Sequence, residues 1–245
     1  MAQQSQAAIA RPQDGTRRQE RAERILDAAA ALILRWGYNK TTIDDIARQA
    51  GVAKGTIYLH WNTREELFAA LMKREKAALS EDVRQRIAAD AAGATLRGLF
   101  KHSALALMQR PLLKAVLLRD LDVIGKLAHR EQSSAAYAER LAGFTTYLAF
   151  LREHELVRTD LSLRAQLYMV SAIFMGFFLV APLMPGELTL SDEELAELLA
   201  ETVQRALESG RAVASDEAQT GAQAFQQYLD RATAIADEQF QRAVE

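Results

Sequence analysis

TTIDDIARQAGVAKGTIYLHWNTREEL, residues 41–67, holds two helical patterns with a stop between them. Ile43, Ile46, Ala47 and Ala50 recur at the spacing of one helix face. The pattern halts at Gly51, a residue suited to the left-handed backbone that ends helices. Thr63-Arg64-Glu65-Glu66 has the form of a capping box and opens the next long helix. Between these signals there is room for one helix of about two turns. Val52 and Ile57 can pack inward against Ile46 and Leu67, leaving Lys54, Thr56, Tyr58 and His60 to point outward or sideways. Two helices joined by a tight glycine-containing turn form a helix-turn-helix, whose second member lies in the major groove of DNA. The outward residues have the chemistry for it: phosphate donors, a hydroxyl for base edges and flat rings for thymine methyls. Gly55 lets the helix backbone come close to the duplex. A phosphate-binding loop is a poorer reading, because it needs Gly-Lys-Ser/Thr in that order and here Lys54 precedes Gly55.

The rest of the composition agrees with an all-α chain. Four prolines and twelve glycines in 245 residues leave long helices uninterrupted, and no strand alternation competes. The formal net charge of -2 hides an asymmetry: residues 1–64 hold ten Lys/Arg against six Asp/Glu, so the acidic excess lies in the remainder. A basic head on an acidic body suits a polyanion-binding domain. With no cysteine, disulfides and cysteine-ligated metals are excluded. His102, His129 and His154 have no metal-ligand spacing, so no metal or cofactor is expected. The opening MAQQSQAAIARPQDG lacks the apolar core of a secretory signal, and a cytoplasmic location is expected.

Helix signals divide the chain. A flexible arm, 1–16, precedes a first helix that opens at the box-like Thr16-Arg17-Arg18-Gln19 and carries Ile25, Leu26, Ala29, Leu32 and Ile33 on one face to Gly37. Thr42 caps the second helix. A helix-turn-helix domain, 17–62, leads into a larger helical body, 63–210. Its helices are predicted to near 89 and then over 94–109, 112–128, 131–156, 163–181 and 192–208. An additional helix, 216–243, occupies the segment 211–245, with Phe225, Leu229, Ala236 and Phe240 on one face; packing on its own subunit, crossing to a partner and covering the pocket are all open to it, with a place at or near a dimer interface favoured.

Residues 17–68 closely resemble the DNA-binding domain of the tetracycline-repressor (TetR) family of bacterial transcription regulators. The resemblance rests on Trp36-Gly37-Tyr38, Thr41-Thr42-Ile43 with Ile46-Ala47, Gly51-Val52-Ala53-Lys54-Gly55-Thr56-Ile57-Tyr58 and Arg64-Glu65-Glu66-Leu67. It implies that Thr42, Lys54, Gly55, Thr56, Tyr58 and His60 approach DNA and that Arg64 meets a phosphate. Two positions depart from the pattern: Ala53 replaces the commoner serine, and Trp61 stands where phenylalanine is usual. The resemblance also implies a homodimer on a palindromic operator, with an interface drawn from Leu167, Val170, Phe174, Phe178, Leu195, Leu198, Leu199, Thr202, Val203 and Ala206. A small-molecule pocket follows in the same way, with candidate lining residues Phe100, Ser103, Leu107, Leu117, Phe144, Leu148 and Phe174. So apolar a lining favours an apolar or aromatic effector, whose binding releases a repressor from its operator.

Two rival classes were weighed. Residues 165–186, AQLYMVSAIFMGFFLVAPLMPG, carry no charge and could serve a membrane-associated helical interaction protein. Pro182 and Pro185, however, leave roughly 24 Å of helix for a hydrocarbon layer of about 30 Å, so burial between helices is the expectation. An enzyme finds no support, since no nucleophile elbow, zinc motif or spaced His/carboxylate cluster occurs in the sequence.

Overall fold

The computed structural model describes residues 12–90, 93–114, 135–209 and 215–244. They form α1 (Pro12–Trp36), α2 (Ile43–Ala50), α3 (Lys54–Tyr58), α4 (Arg64–Ala89), α5 (Leu96–Met108), α6 (Ala135–Glu153), α7 (Leu163–Val180), α8 (Asp192–Leu207) and α9 (Ser215–Val244). Two short 3-10 turns, Ala181–Leu183 and Gly186–Leu188, follow α7. No β-strand occurs among the described residues, where a lone antiparallel bridge joins Val157 to Glu208. The predicted helix 112–128 is described only at its start. The helix α1 is described from Pro12, about one turn before the expected start at Thr16.

Two compact units are present. The smaller comprises residues up to Leu71 together with those from Gln241, and the larger comprises Met72 to Phe240. Both α4 and α9 are continuous through a unit boundary.

In the smaller unit, Ala22, Ile25, Leu26, Ala29, Leu32 and Ile33 form the buried stripe of α1, and α2 packs against it with Ile43, Ile46 and Ala47 buried. The α1 helix ends at Gly37 and α2 at Gly51, with φ of 84° and 66°, values that an L side chain rarely tolerates. At Gly51 the turn is closed by the Val52 N–H on the Ala47 carbonyl at 3.0 Å.

The larger unit packs α5 on α8, with Leu96, Leu99, Phe100 and Ala104 buried on one side and Ala196, Leu199, Ala200, Val203 and Leu207 on the other. Ser191 and Glu194 form a reciprocal capping box at the start of α8. Between α6 and α7, Gln166 is wholly buried and fully used: its amide donates to the Arg158 carbonyl at 2.6 Å and its oxygen accepts from Arg152 Nη1 at 2.7 Å. The same guanidinium nitrogen donates to the Leu161 carbonyl at 2.6 Å, so one polar cluster fixes the turn linking the two helices.

The helix α9 packs on α6 of its own chain. Tyr147 and Tyr228 stack at 5.7 Å, Tyr147 meets Phe225 at 5.4 Å, and Arg231 pairs with Glu139. The uncharged segment is largely uncovered within its own chain. The stretch Leu163–Leu183 is long and apolar enough to cross a membrane, yet only 17% of it is buried within the chain. Tyr168, Leu179, Val180, Leu183, Met184, Leu188 and Leu190 are all exposed. Four of the residues assigned to an interface, Val170, Phe178, Leu199 and Val203, are instead core residues of their own chain, because α7 and α8 turn those positions inward.

Truncating Leu199 to Ala should therefore cost about 2–5 kcal/mol of stability through lost burial and a residual cavity. Replacing Gln166 by Leu, which strands the Arg158 carbonyl and an Arg152 donor, should cost about 1–3 kcal/mol. Urea unfolding followed by circular dichroism measures both.

Candidate nucleic-acid interface

The candidate surface is built on α2, the Gly51 turn and α3. Thr42 caps α2: its hydroxyl donates to Asp45 Oδ2 at 2.6 Å and accepts the Asp45 N–H at 3.2 Å. Asp45 also takes a bond from Arg48 Nη2 at 2.7 Å, and Asp44 pairs with Lys54 Nζ at 2.9 Å. Two carboxylates that complement the N-terminal dipole of α2 are thereby each matched by a cation. The hydrogen bond that Lys54 donates to Asp44, and then the Asp44 charge, raise the Lys54 pKa above its ordinary value. Because that pair is solvent-exposed, it is weak and exchangeable for another anion.

The helix α3 has only five residues. Its N-cap, Ala53, makes no side-chain cap bond, the consequence of having no hydroxyl there, and the Thr56 N–H is met by the Ala53 carbonyl at 2.9 Å. Ile57 is fully buried and holds the helix down. Lys54 and Gly55 are exposed, Tyr58 is 44% exposed, and Thr56 and His60 are half-buried. A Cβ built on Gly55 would touch nothing within 4 Å, and its φ is not positive, so neither packing nor backbone strain within the chain requires glycine there.

Leu59 is a residue that the sequence reading passed over. It is 72% exposed beside Tyr58, an apolar side chain on the outer surface of the turn. The signal was available, since two residues beyond buried Ile57 is about 200° around a helix. His60 is partly withdrawn. Burial lowers its pKa below 6.5, the charges of Arg18 and Arg21 act in the same direction, and its ring packs near Trp61 at 5.3 Å. The imidazole is thus neutral at neutral pH and offers a hydrogen bond rather than a charge.

Arg64 is held by Tyr38. Its guanidinium lies 4.0 Å from the Tyr38 ring centroid, and Nη2 donates to the Tyr38 carbonyl. Tyr38 in turn packs on Phe68 at 4.5 Å, so Arg64 ties the loop after α1 to the start of α4. Its role as a phosphate ligand would have to use the guanidinium donors left over from that contact.

In the larger unit, Phe100, Leu107 and Leu148 are buried, while Ser103, Phe144 and Phe174 are half-buried. Leu117 lies outside the described residues. Phe100 brings two of these together, with Phe174 at 5.9 Å and Phe144 at 6.3 Å, both edge-on. None of the six lines either of two cavities found in this unit. One, of about 570 Å³, runs along α5 and α8 past Lys101, Glu197 and Glu201. The other, of about 440 Å³, is apolar and lies among Ile173, Phe177, Val180, Met184, Leu188 and Leu195.

Residues 25–71, which include all of α2 and α3, match the family described as bacterial regulatory proteins, tetR family. The fatty acid metabolism regulator protein of Bacillus subtilis is 36% identical over 69 residues, which is 26% of this chain and 36% of that one. Matches of this kind span between 30% and 56% of the length of curated relatives. Among solved structures, NalD of Pseudomonas aeruginosa, the secondary repressor of the MexAB-OprM multidrug efflux pump, superposes with a TM-score of 0.61 at 19% identity over 80% of this chain and all of that one. A SmeT–triclosan complex gives 0.61 at 22% identity, over 80% of this chain and 96% of that one. Likeness at such low identity establishes the helical fold, while the helix-turn-helix segment carries the sequence match. Residues 25–71 therefore carry the sequence match to the tetR family of bacterial regulatory proteins, and the remainder of the chain is similar to the solved structures in fold.

Proposed function

We propose that the protein is a sequence-specific DNA-binding transcription regulator, a repressor that binds a palindromic operator as a homodimer and is released by a small apolar or aromatic effector. The observation that carries this reading is the exposed edge of α3. Lys54, Gly55, Tyr58 and Leu59 stand outward on a short helix pinned by Ile57, within a segment that matches a family of regulatory proteins. One such helix makes few base contacts. Two related by a two-fold axis reach half-sites about 34 Å apart on one duplex face.

The exposed apolar face of α7 and the turns after it, with Leu198 of α8, support the dimer. This surface replaces the inward-facing residues first assigned to the contact. The aromatic cluster around Phe100 and the 440 Å³ apolar cavity both favour an apolar effector over a charged one. That NalD is described as a repressor, and that SmeT has been solved with triclosan, supports the same choice.

Selection of bound duplexes from a random pool tests the reading, with paired inverted half-sites as the expected product and unenriched sequence as the result against it. On the selected duplex, Lys54→Ala and Tyr58→Ala should each weaken binding by about 1–3 kcal/mol. Titration by fluorescence anisotropy measures this, and wild-type affinity in both variants would remove α3 from the contact.

Gly55→Ala separates stability from binding. It should raise thermal stability by about 0.5–1 kcal/mol, because glycine in a helix carries excess backbone entropy, and yet weaken binding, because the added methyl stands between α3 and the groove floor.

Leu183, 75% exposed, gives the test of assembly. Leu183→Glu should shift sedimentation from dimer toward monomer, whereas an unchanged dimer would place the contact elsewhere.

A further inference from the structure

We infer that the carboxyl-terminal turn of α9 is a positioning part of the DNA-reading head: the Ala243 carbonyl, gripped by the Trp61 indole, holds the end of α3 in place. The inference rests on the DNA-binding reading of α3 and adds to it a segment that lies 182 residues away in sequence.

Trp61 closes the last turn of the recognition element through its backbone. Its N–H donates to the Ile57 carbonyl at 3.0 Å, beside the His60 N–H on the same acceptor at 2.9 Å. Its side chain is 3% exposed, and the indole Nε1 donates to Ala243 O at 2.8 Å. An indole N–H buried without an acceptor loses its hydration with no return, so it needs this partner. The Ala243 carbonyl supplies that partner, so the bond satisfies the buried indole N–H. Val244 is buried beside it, and residues from Gln241 onward belong to the same compact unit as α1, α2 and α3.

The recognition helix depends on such support. Five residues, a glycine and an uncapped N-terminus give it little stability of its own. Its orientation is fixed by what lies beneath, namely Ile57 and the turn that Trp61 completes. Loosening Trp61 frees Tyr58, Leu59 and His60 to sample other directions without unfolding the head.

The test compares Trp61→Phe, which keeps an aromatic ring but has no N–H, with a chain ending at Phe240 and with the two changes combined. Circular dichroism first confirms that helix content is retained in each. Two readouts need no DNA. Amide exchange at Leu59, His60 and Trp61 should quicken roughly three- to tenfold in either variant, the scale of one lost hydrogen bond. In a Trp36→Phe background, shortening the chain at Phe240 should shift the emission of Trp61 to the red as its ring gains water.

On the duplex selected by the full chain, each single change should weaken binding roughly three- to tenfold, and the combination should lose no more than either alone. Unchanged exchange and unchanged emission on removal of residues 241–245 would overturn the inference. So would losses that multiply in the combined variant, since the two groups would then act separately. Should the full chain select no duplex, the DNA-binding reading fails on its own account, and the exchange and emission results still decide whether the terminal turn holds Trp61.

Discussion

A helix of five residues cannot orient itself. The bonds within α3 are too few to offset the entropy of fixing its backbone, and no side chain caps its first turn. Everything that gives this segment a defined surface comes from beneath it: Ile57, fully buried, the left-handed Gly51 that sets its angle to α2, and Trp61 closing its last turn. The exposed side chains share one outer edge only because these three fix their directions. This is the usual logic of a binding site, in which an element with little stability of its own is made precise by a packed support.

The larger unit presents the opposite situation, in which a long helix has more apolar surface than its own chain covers. Both α5 and α8 bury their facing stripes against each other, and α6 gains a second partner in α9. The helix α7 is left with a face that runs on into the exposed Leu183, Met184, Leu188 and Leu190. Contiguous apolar surface on this scale has a use when something covers it. The uncharged run misled as to its neighbours because hydrophobicity reports that a segment avoids water, without reporting whether its own chain or another surface does the covering.

Local signals made much of this fold readable. Gly37, Gly51 and the cap at Thr42 mark helix ends that appear where expected, because a cap is a contact between residues three apart and needs no knowledge of the rest. The buried stripe of α1 was equally plain. Long-range choices were not. That α9 would lie on α6 follows from Tyr147, Phe225 and Tyr228 fitting together, and no spacing rule encodes such a fit. Arg64 shows the same limit within the site: the family resemblance implied a phosphate, while its neighbours give it a ring and a carbonyl to hold.

Trp61 joins the two kinds of information. In the sequence it is a departure, an indole where phenylalanine is usual in the family that the head resembles, and its burial alone would class it as core. The structure gives the nitrogen an acceptor, and the acceptor belongs to the helix that extends the chain. Two unusual features, read separately as a harmless substitution and an added helix, thus meet in one 2.8 Å bond. A phenylalanine would have no N–H to give the carbonyl of Ala243, and its smaller ring would fill less of the same site. If that bond positions α3 as inferred, the orientation of α3 depends in part on a residue 182 positions away from Trp61 in sequence.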